Sequence, residues 1–313
     1  MAGVLGALVP VFLIIALGAL LKRVLLTEAS HWIALEKLTY FVLFPALIIV
    51  SIARADLGGV AVLEVSVALL LAILGLSGAL MVLRRPLSRA LSLTSPSYTS
   101  LFQGSVRWNS YIGLAVSSAL AGPKGLAVAA VGLAVMIPVL NILSVIVLAR
   151  HGARADAKPP KMLAQIARNP YVWSCVIGAL LNEISVVIPA VLMTFVDILG
   201  RSSLALGLLV VGAGLRLDSL HRPRAATFLS CFLKLVLLPT AAIALGLALG
   251  LRQVDLLVVA IAASVPSAPN GYVLARQMGG DAPLLAEMLT VQMIFATITM
   301  PLAVSAANYM LLQ

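Results

Sequence analysis

Charged and aromatic residues are scarce in this sequence. Asp, Glu, Lys and Arg together make up 10% of the 313 residues, and Phe, Trp and Tyr make up 5%. A soluble domain usually has about a quarter charged residues, because it needs a polar surface. Here 62% of the residues are hydrophobic. The composition excludes a soluble enzyme and a disordered chain. It predicts an all-α polytopic membrane protein with roughly ten spans of about 20 residues.

The sequence also lacks the motifs of several protein classes. It has no GxxxxGK(S/T) phosphate loop, no HExxH or GxSxG motif and no TVGYG-like filter, so nothing indicates an ATP-driven motor, a hydrolase or a potassium-type channel. Its two cysteines, Cys175 and Cys231, lie far apart in apolar segments and indicate neither a disulfide framework nor a metal site. We therefore expect a protein that is not an enzyme and needs no cofactor or metal.

Apolar segments separated by charged or Gly/Pro-containing breaks define the ten predicted spans. They cover 3–22, 33–53, 60–83, 99–120, 124–149, 170–188, 190–215, 226–250, 255–276 and 283–306. The first segment lacks a basic leading region and a small-residue cleavage site, which favours a span over a cleaved signal. The fourth and ninth spans are the least apolar.

The net charge of +10 is explained by the loops and not by a nucleic-acid partner. With the N-terminus outside, most basic residues fall in inner loops, as the positive-inside rule requires. The inner set is Lys22, Arg23, Arg84, Arg85, Arg89, Arg150, Arg154, Lys158, Lys161, Arg168, Arg216, Arg222, Arg224 and Arg276. The outer set is Arg54, Lys124 and Arg252. We predict a protein of the plasma (inner) membrane with both termini on the outer or periplasmic side.

Two halves of the chain are similar in sequence. Gly18-Ala-Leu-Leu21 recurs as Gly178-Ala-Leu-Leu181, 160 residues later, and Asn109-Ser-Tyr recurs as Asn270-Gly-Tyr, 161 residues later. Pro10 and Pro170 are also 160 residues apart. Because five spans per half is an odd number, the second half would be inverted, as in many secondary transporters. We predict a first five-helix repeat at 1–149, a cytoplasmic linker at 150–169 and a second, inverted repeat at 170–313.

The fourth and ninth spans contain residues that interrupt helices. The fourth has Arg107 and Asn109 in its middle, and the ninth has Pro266, Pro269 and Asn270. Proline removes a backbone donor and clashes with the preceding turn. Paired interruptions at matching positions in two halves are the best sequence indication of a transporter's binding site. The helix that starts after each break offers free N–H groups, which suit an anion.

Four segments resemble the auxin efflux carrier family, whose members include plant PIN-type auxin carriers and bacterial malonate-type permeases. They are 36–47 (EKLTYFVLFPAL), Asn109-x-x-x-Gly113, Arg168-Asn-Pro170 and 268–276 (APNGYVLAR). The resemblance implies ten helices in two inverted repeats, with broken helices 4 and 9 crossing near the substrate. It also implies a scaffold of helices 1, 2, 6 and 7, a transport domain of helices 3–5 and 8–10 that moves as an elevator, organic-anion substrates and a homodimer. One departure is Ala115, where many relatives have proline.

The candidate site residues lie at the two interruptions or at polar positions within other spans. The predicted substrate-binding residues are Asn109, Asn270, Arg107, Tyr111, Gly113, Ser267, Pro266, Pro269, Gly271 and Tyr272. The predicted coupling or supporting residues are Asn141, Asp197, Arg201 and Glu287.

Five of these residues have alternative roles. Arg107 would hold a substrate carboxylate or be satisfied by backbone carbonyls. The i,i+4 spacing of Asp197 and Arg201 favours a neutralising pair over proton coupling. For Glu287, one turn into the tenth span, solvation at the interface is favoured over a protonatable site. Asn141 either bonds a neighbouring helix or lines the site.

The sequence therefore predicts a secondary transporter of a small organic anion, with no nucleic-acid partner. Malonate-like dicarboxylates, other carboxylates and auxin-like aromatic acids all fit, and the coupling ion is a proton, sodium or neither. The alternatives are a sodium-coupled symporter like the related bile-acid family, and a channel or receptor with the same fold.

Overall fold

The computed structural model describes residues 2–55, 61–153, 169–184, 189–217 and 223–310, and within these ranges all regular secondary structure is helical. Among the described residues, seven helical segments are long and apolar enough to cross a membrane. They are Gly3–Val24, Ala29–Ala53, Val62–Val82, Ser95–His151, Ala190–Ala213, Ala225–Ala248 and Ala282–Tyr309. The all-α polytopic class is confirmed, whereas ten spans in an inverted repeat stay a prediction. The predicted linker lies outside the described residues from 154 to 168, as do the predicted end of the sixth span at 185–188, residue 60 and Arg222.

The chain forms two compact units, and the first contains Met1–Val62, Ser110–Val135 and Leu163–Gly214. Its helices are α1 (Ala2–Val24), α2 (Ala29–Leu38), α3 (Phe44–Ala53), the start of α7 (Ser110–His151), α8 (Pro170–Glu183) and α9 (Ala190–Ala213). α1 packs along α9, and α3 packs against both α8 and α9. A π-helical turn, Thr39–Leu43, joins α2 to α3 just before Pro45.

The packing of α1 against α9 depends on two glycines. A Cβ on Gly18 would collide with the backbone of Leu209, and a Cβ on Gly212 would collide with the backbone of Ile15. Small residues at such positions let membrane helices approach closely enough for extensive van der Waals contact. The glycines therefore fix where these two helices touch.

The second unit contains Leu63–Asn109, Met136–Met162 and Leu215–Gln313. Its helices are α4 (Val62–Val82), α5 (Arg84–Ala90), α6 (Ser95–Val106), the end of α7, α10 (Ala225–Phe232), α11 (Leu238–Ala248), α12 (Gln253–Ser264), α13 (Asn270–Met278) and α14 (Ala282–Met310). Leu101, Ala275, Leu285 and Met288 belong to a buried apolar cluster supplied by α6, α10, α13 and α14. A second π-helical turn, Leu233–Leu237, joins α10 to α11.

The fourth and ninth predicted spans are interrupted, as their sequences indicated. α6 ends at Val106, and Arg107 has extended backbone angles before α7 begins at Ser110. α12 ends at Ser264, and Val265 is extended because the following Pro266 disfavours helical geometry at the residue before it. α13 begins at Asn270.

The boundary between the fourth and fifth predicted spans is a single residue. We expected separate spans at 99–120 and 124–149, but α7 runs from Ser110 to His151 with one non-helical position, Gly122, at φ 60° and ψ −155°. A positive φ of this kind favours glycine, which has no Cβ to clash with the backbone. Gly122 therefore joins two helical segments without a loop.

Gly18 and Gly6, both in α1, give a pair of matched variants. We expect Gly18→Ala to lower the melting temperature of the purified protein, because the new methyl group must displace the backbone of α9, at a cost of about 1–3 kcal/mol. Gly6→Ala, in the same helix with no neighbour within 4 Å, should leave the melting temperature unchanged or raise it slightly. Equal melting temperatures for the two variants would contradict the close approach of α1 and α9.

Candidate functional site

The two helix interruptions meet through a backbone hydrogen bond. The N–H of Asn109 donates to the carbonyl of Pro266 at 3.0 Å. A broken helix leaves backbone groups without partners, and each such group is costly in a hydrocarbon environment. Here a carbonyl freed by one break accepts a hydrogen bond from an N–H group freed by the other. We call the two non-helical segments, 107–109 and 265–269, the crossover.

Gln292, a buried glutamine of α14, connects both breaks. Its Oε1 accepts from the N–H of Ser267 at 2.9 Å, and its Nε2 donates to the Gly104 carbonyl at 2.8 Å and to Ser230 Oγ at 2.9 Å. The Ser267 hydroxyl donates to the same Gly104 carbonyl at 2.5 Å. Gln292 is fully buried and was not among the predicted site residues, although a glutamine within an apolar span was a visible signal in the sequence.

Arg107 lies in the crossover and is only 4% exposed. Its Nη1 donates to Asn270 Oδ1 at 2.8 Å, and its Nη2 donates to Asn141 Oδ1 at 3.0 Å. Gly271 leaves room for the arginine, because a Cβ there would come within 2.9 Å of Arg107 Cδ. The structure thus brings together Arg107 of the fourth predicted span, Asn141 of the fifth and Asn270 of the ninth. Among the described residues Arg107 forms no ion pair.

The other predicted residues of the second unit differ in exposure. Asn109, Pro266 and Ser267 are buried, whereas Asn270 is exposed. Pro269 and Tyr272 are half-buried. Arg216, which the sequence placed only in an inner loop, lies over the Tyr272 ring at 4.9 Å and donates through Nη2 to its hydroxyl at 3.0 Å.

Tyr111 and Gly113 belong to the first unit, since they lie in Ser110–Val135, the part of α7 that this unit contains. The Tyr111 ring stacks on Phe44 with centroids 4.9 Å apart and an interplanar angle of 22°. Phe44 also lies against Tyr171, at 6.1 Å. Gly113 is buried.

Asp197 and Arg201, also in the first unit, form an ion pair. Arg201 Nη2 lies 2.8 Å from Asp197 Oδ2, and Arg54 Nη1 lies 3.9 Å from the other oxygen. The Arg201 side chain is 77% exposed and the Asp197 side chain 23% exposed. The geometry of this ion pair agrees with the neutralising pair that the spacing favoured.

Glu287 is buried, so the expectation of a solvated interfacial carboxylate was wrong. It accepts from the backbone N–H of Arg224 at 2.7 Å, from Arg224 Nε at 3.1 Å and from Thr227 Oγ1 at 2.5 Å. Arg224 also bonds Asp281, which accepts from Ser97 Oγ at 2.8 Å. These bonds join the starts of α6, α10 and α14. The sequence could not reveal them, because the partners are far apart in the chain.

Lys234 is also buried. It lies in the π-helical turn of the second unit and is 0% exposed. Its Nζ donates to the Ala263 carbonyl at 3.4 Å and lies 5.7 Å from the centre of the Trp108 ring. No ion pair to Lys234 occurs among the described residues. Single π-helical turns inside helices often mark functional positions.

Two paired helix breaks, buried cations and apolar helices together define a polytopic membrane transport protein. Residues 3–304 match the family model described as "Membrane transport protein". The chain therefore belongs to this family, the auxin efflux carrier family that the sequence motifs resembled.

Curated relatives are distant and carry transporter names. "Uncharacterized transporter YfdV" of Escherichia coli K12 is 26% identical over 200 residues, which cover 61% of this chain and 62% of that protein. The chain thus spans less than two thirds of that relative's length. An "Uncharacterized transporter" of Methanothermobacter thermautotrophicus is 25% identical over 296 residues, covering 93% of this chain and 94% of its own.

Gln292 gives the first prediction for the crossover. We expect Gln292→Leu to lower the melting temperature, because the Ser267 N–H and the Ser230 hydroxyl lose a partner in a buried environment, at about 1–3 kcal/mol per unsatisfied group. Thr297→Val in the same helix is the control, since Thr297 is exposed and its hydroxyl bonds only the carbonyl of Ile294. A melting temperature for Gln292→Leu equal to that of Thr297→Val would contradict the network.

Lys234 gives the second prediction, in which the melting temperature is expected to rise. Replacing a buried charge that lacks an ionic partner by an apolar side chain of similar length removes a desolvation cost. We therefore expect Lys234→Met to raise the melting temperature of the purified protein, whereas the same change at the exposed Lys37 leaves it unchanged. A lower melting temperature for Lys234→Met would mean that the contacts to Ala263 and Trp108 outweigh the cost of burial.

Proposed function

We propose that this transporter carries a small organic anion that binds at the crossover. The observation that carries the proposal is the environment of Arg107. Its guanidinium is buried, its partners are two neutral amide oxygens, and no acidic side chain pairs with it among the described residues. A buried charge left uncompensated is expensive, and a bound anion would supply the missing negative charge.

A carboxylate fits the side chains at the crossover. Asn109 and Asn270 carry amide N–H donors, and α7 and α13 begin at Ser110 and Asn270, directly after the two breaks. At the start of α13 the N–H groups of Gly271 and Tyr272 already donate to the Ala268 and Pro269 carbonyls, so the side-chain amides are the donors that this proposal assigns to the anion. A carboxylate would therefore meet neutral donors close to a fixed positive charge. This chemistry covers malonate-like dicarboxylates and auxin-like aromatic acids.

The division into two units supports an elevator mechanism. The first unit is built from α1–α3, α8, α9 and the start of α7, and the second holds both helix breaks. The first unit holds the predicted scaffold spans 1, 2, 6 and 7 together with Ser110–Val135, which the family resemblance assigned to the transport domain. On this proposal the second unit carries the anion across the membrane relative to the first. The orientation with both termini outside, from the positive-inside rule, and a homodimer, from the family resemblance, belong to the same proposal.

The proposal predicts that the crossover asparagines are needed for uptake. We expect Asn109→Ala and Asn270→Ala each to reduce carboxylate uptake into proteoliposomes about tenfold or more, because each loses a hydrogen bond to a charged group worth about 1.5–3 kcal/mol. Malonate and indole-3-acetate are the first substrates to test. Thr240→Val is the control, since that residue is exposed and bonds only within its own helix.

The outcome separates a carrier from a channel and from an unrelated site. Saturable wild-type uptake that continues against a gradient identifies a carrier. Wild-type rates and affinities in both asparagine variants, at equal reconstituted protein, would contradict a site at the crossover.

A further inference from the structure

Both terminal nitrogens of Arg107 already donate to side chains of the protein. Nη1 bonds Asn270 at 2.8 Å and Nη2 bonds Asn141 at 3.0 Å. The third nitrogen, Nε, is buried and has no hydrogen-bond partner among the described residues. A guanidinium has five N–H groups, so a carboxylate would have to reach the three that remain, on a side chain that is only 4% exposed.

The arginine also determines which way the two amides face. A guanidinium only donates hydrogen bonds, so an asparagine beside it must present its Oδ1. The Nδ2 group of each amide then points along the other branch of the side chain. Among the described residues neither Asn141 Nδ2 nor Asn270 Nδ2 has a hydrogen-bond partner.

Exposure indicates which of these groups a ligand meets. Arg107 is 4% exposed, whereas Asn141 is half-buried and Asn270 is exposed. A molecule arriving at this place therefore contacts the amides before it contacts the guanidinium. Because an amide oxygen that accepts from a cation is polarised, the N–H groups of the same amide become stronger donors.

We infer that Arg107 is a positioning residue and that Asn141 is a substrate-binding residue. Arg107 holds the amides of Asn141 and Asn270 so that their N–H groups, rather than the guanidinium, bind the carboxylate. The charge of Arg107 acts on the anion through these two amides. This inference rests on the proposed function, because it assumes that a carboxylate binds at the crossover.

The two possible roles of Arg107 predict opposite results for Asn141→Ala. If the amide binds the carboxylate, the variant loses one charge-assisted hydrogen bond, and affinity falls about tenfold. If the guanidinium binds the carboxylate directly, the variant frees Nη2, and affinity is unchanged or increases. Binding of malonate and of indole-3-acetate to purified protein, measured by titration calorimetry, distinguishes the two.

Three further variants make the experiment specific. Ser144→Ala is the matched control, because Ser144 is buried in the same helix and its hydroxyl bonds only the Leu140 carbonyl; it should bind like the wild type. Asn141→Gln keeps both the oxygen for Arg107 and the N–H donors, so it should recover part of the affinity. Arg107→Lys should cost less than about threefold, since an ammonium can still hold two amide oxygens, whereas a bidentate carboxylate contact does not tolerate this change.

Indole-3-acetamide, the neutral counterpart of indole-3-acetate, distinguishes a role in binding the carboxylate from a purely structural role. A purely structural role would weaken binding of both compounds equally. We expect Asn141→Ala to weaken binding of the acid more than binding of the amide, because only the acid carries the charge that the lost N–H group would bind. Unchanged affinity in Asn141→Ala, or a loss above tenfold in Arg107→Lys, would overturn the inference.

The proposed function is judged separately, by the Asn109→Ala variant. If Asn109→Ala loses binding while Asn141→Ala does not, the site stands and only the positioning role is wrong. A wild type that binds neither acid would contradict both.

Discussion

The second unit depends on one constraint: a helix that is interrupted within a membrane protein must have its freed backbone groups satisfied by protein. The hydrogen bond from Asn109 to Pro266 meets this constraint by pairing one break with the other. Gln292 then adds a donor for Gly104 and an acceptor for Ser267. Because every one of these groups is buried, neither break could persist alone. The two breaks of the crossover therefore depend on each other and are not independent kinks.

The same constraint explains how an arginine is tolerated at this depth. Arg107 occupies a break, where the chain is extended and side chains from two other segments can reach it. Neutral amides satisfy two of its nitrogens without cancelling its charge, which a carboxylate would do. The positive charge therefore remains available to a bound anion. An acidic partner at the position of Asn141 would have made the site electrically neutral.

The sequence predicted features that depend on local chemistry and missed those that depend on tertiary contacts. Pro266 and the polar run around Asn109 indicated both interruptions, because proline and unpaired polar groups act on their own helix. The partners of Glu287 are 60 or more residues away, and no local pattern identifies them. The burial of Lys234 could not be predicted from sequence either. An isolated lysine near the end of an apolar segment has the same sequence pattern whether it reaches the surface or lies buried.

The division of the chain into units also sharpens which predicted residues could travel with a substrate. The chain leaves the second unit after Asn109 and returns to it at Met136, so Arg107 and Asn141 belong to the second unit while Tyr111 belongs to the first. Asn270 is also in the second unit. On the proposed elevator mechanism, a ligand that moves with the second unit keeps only the contacts made by residues of that unit. Contacts with Tyr111 would have to form and break in each cycle, whereas the amides oriented by Arg107 would hold the anion throughout.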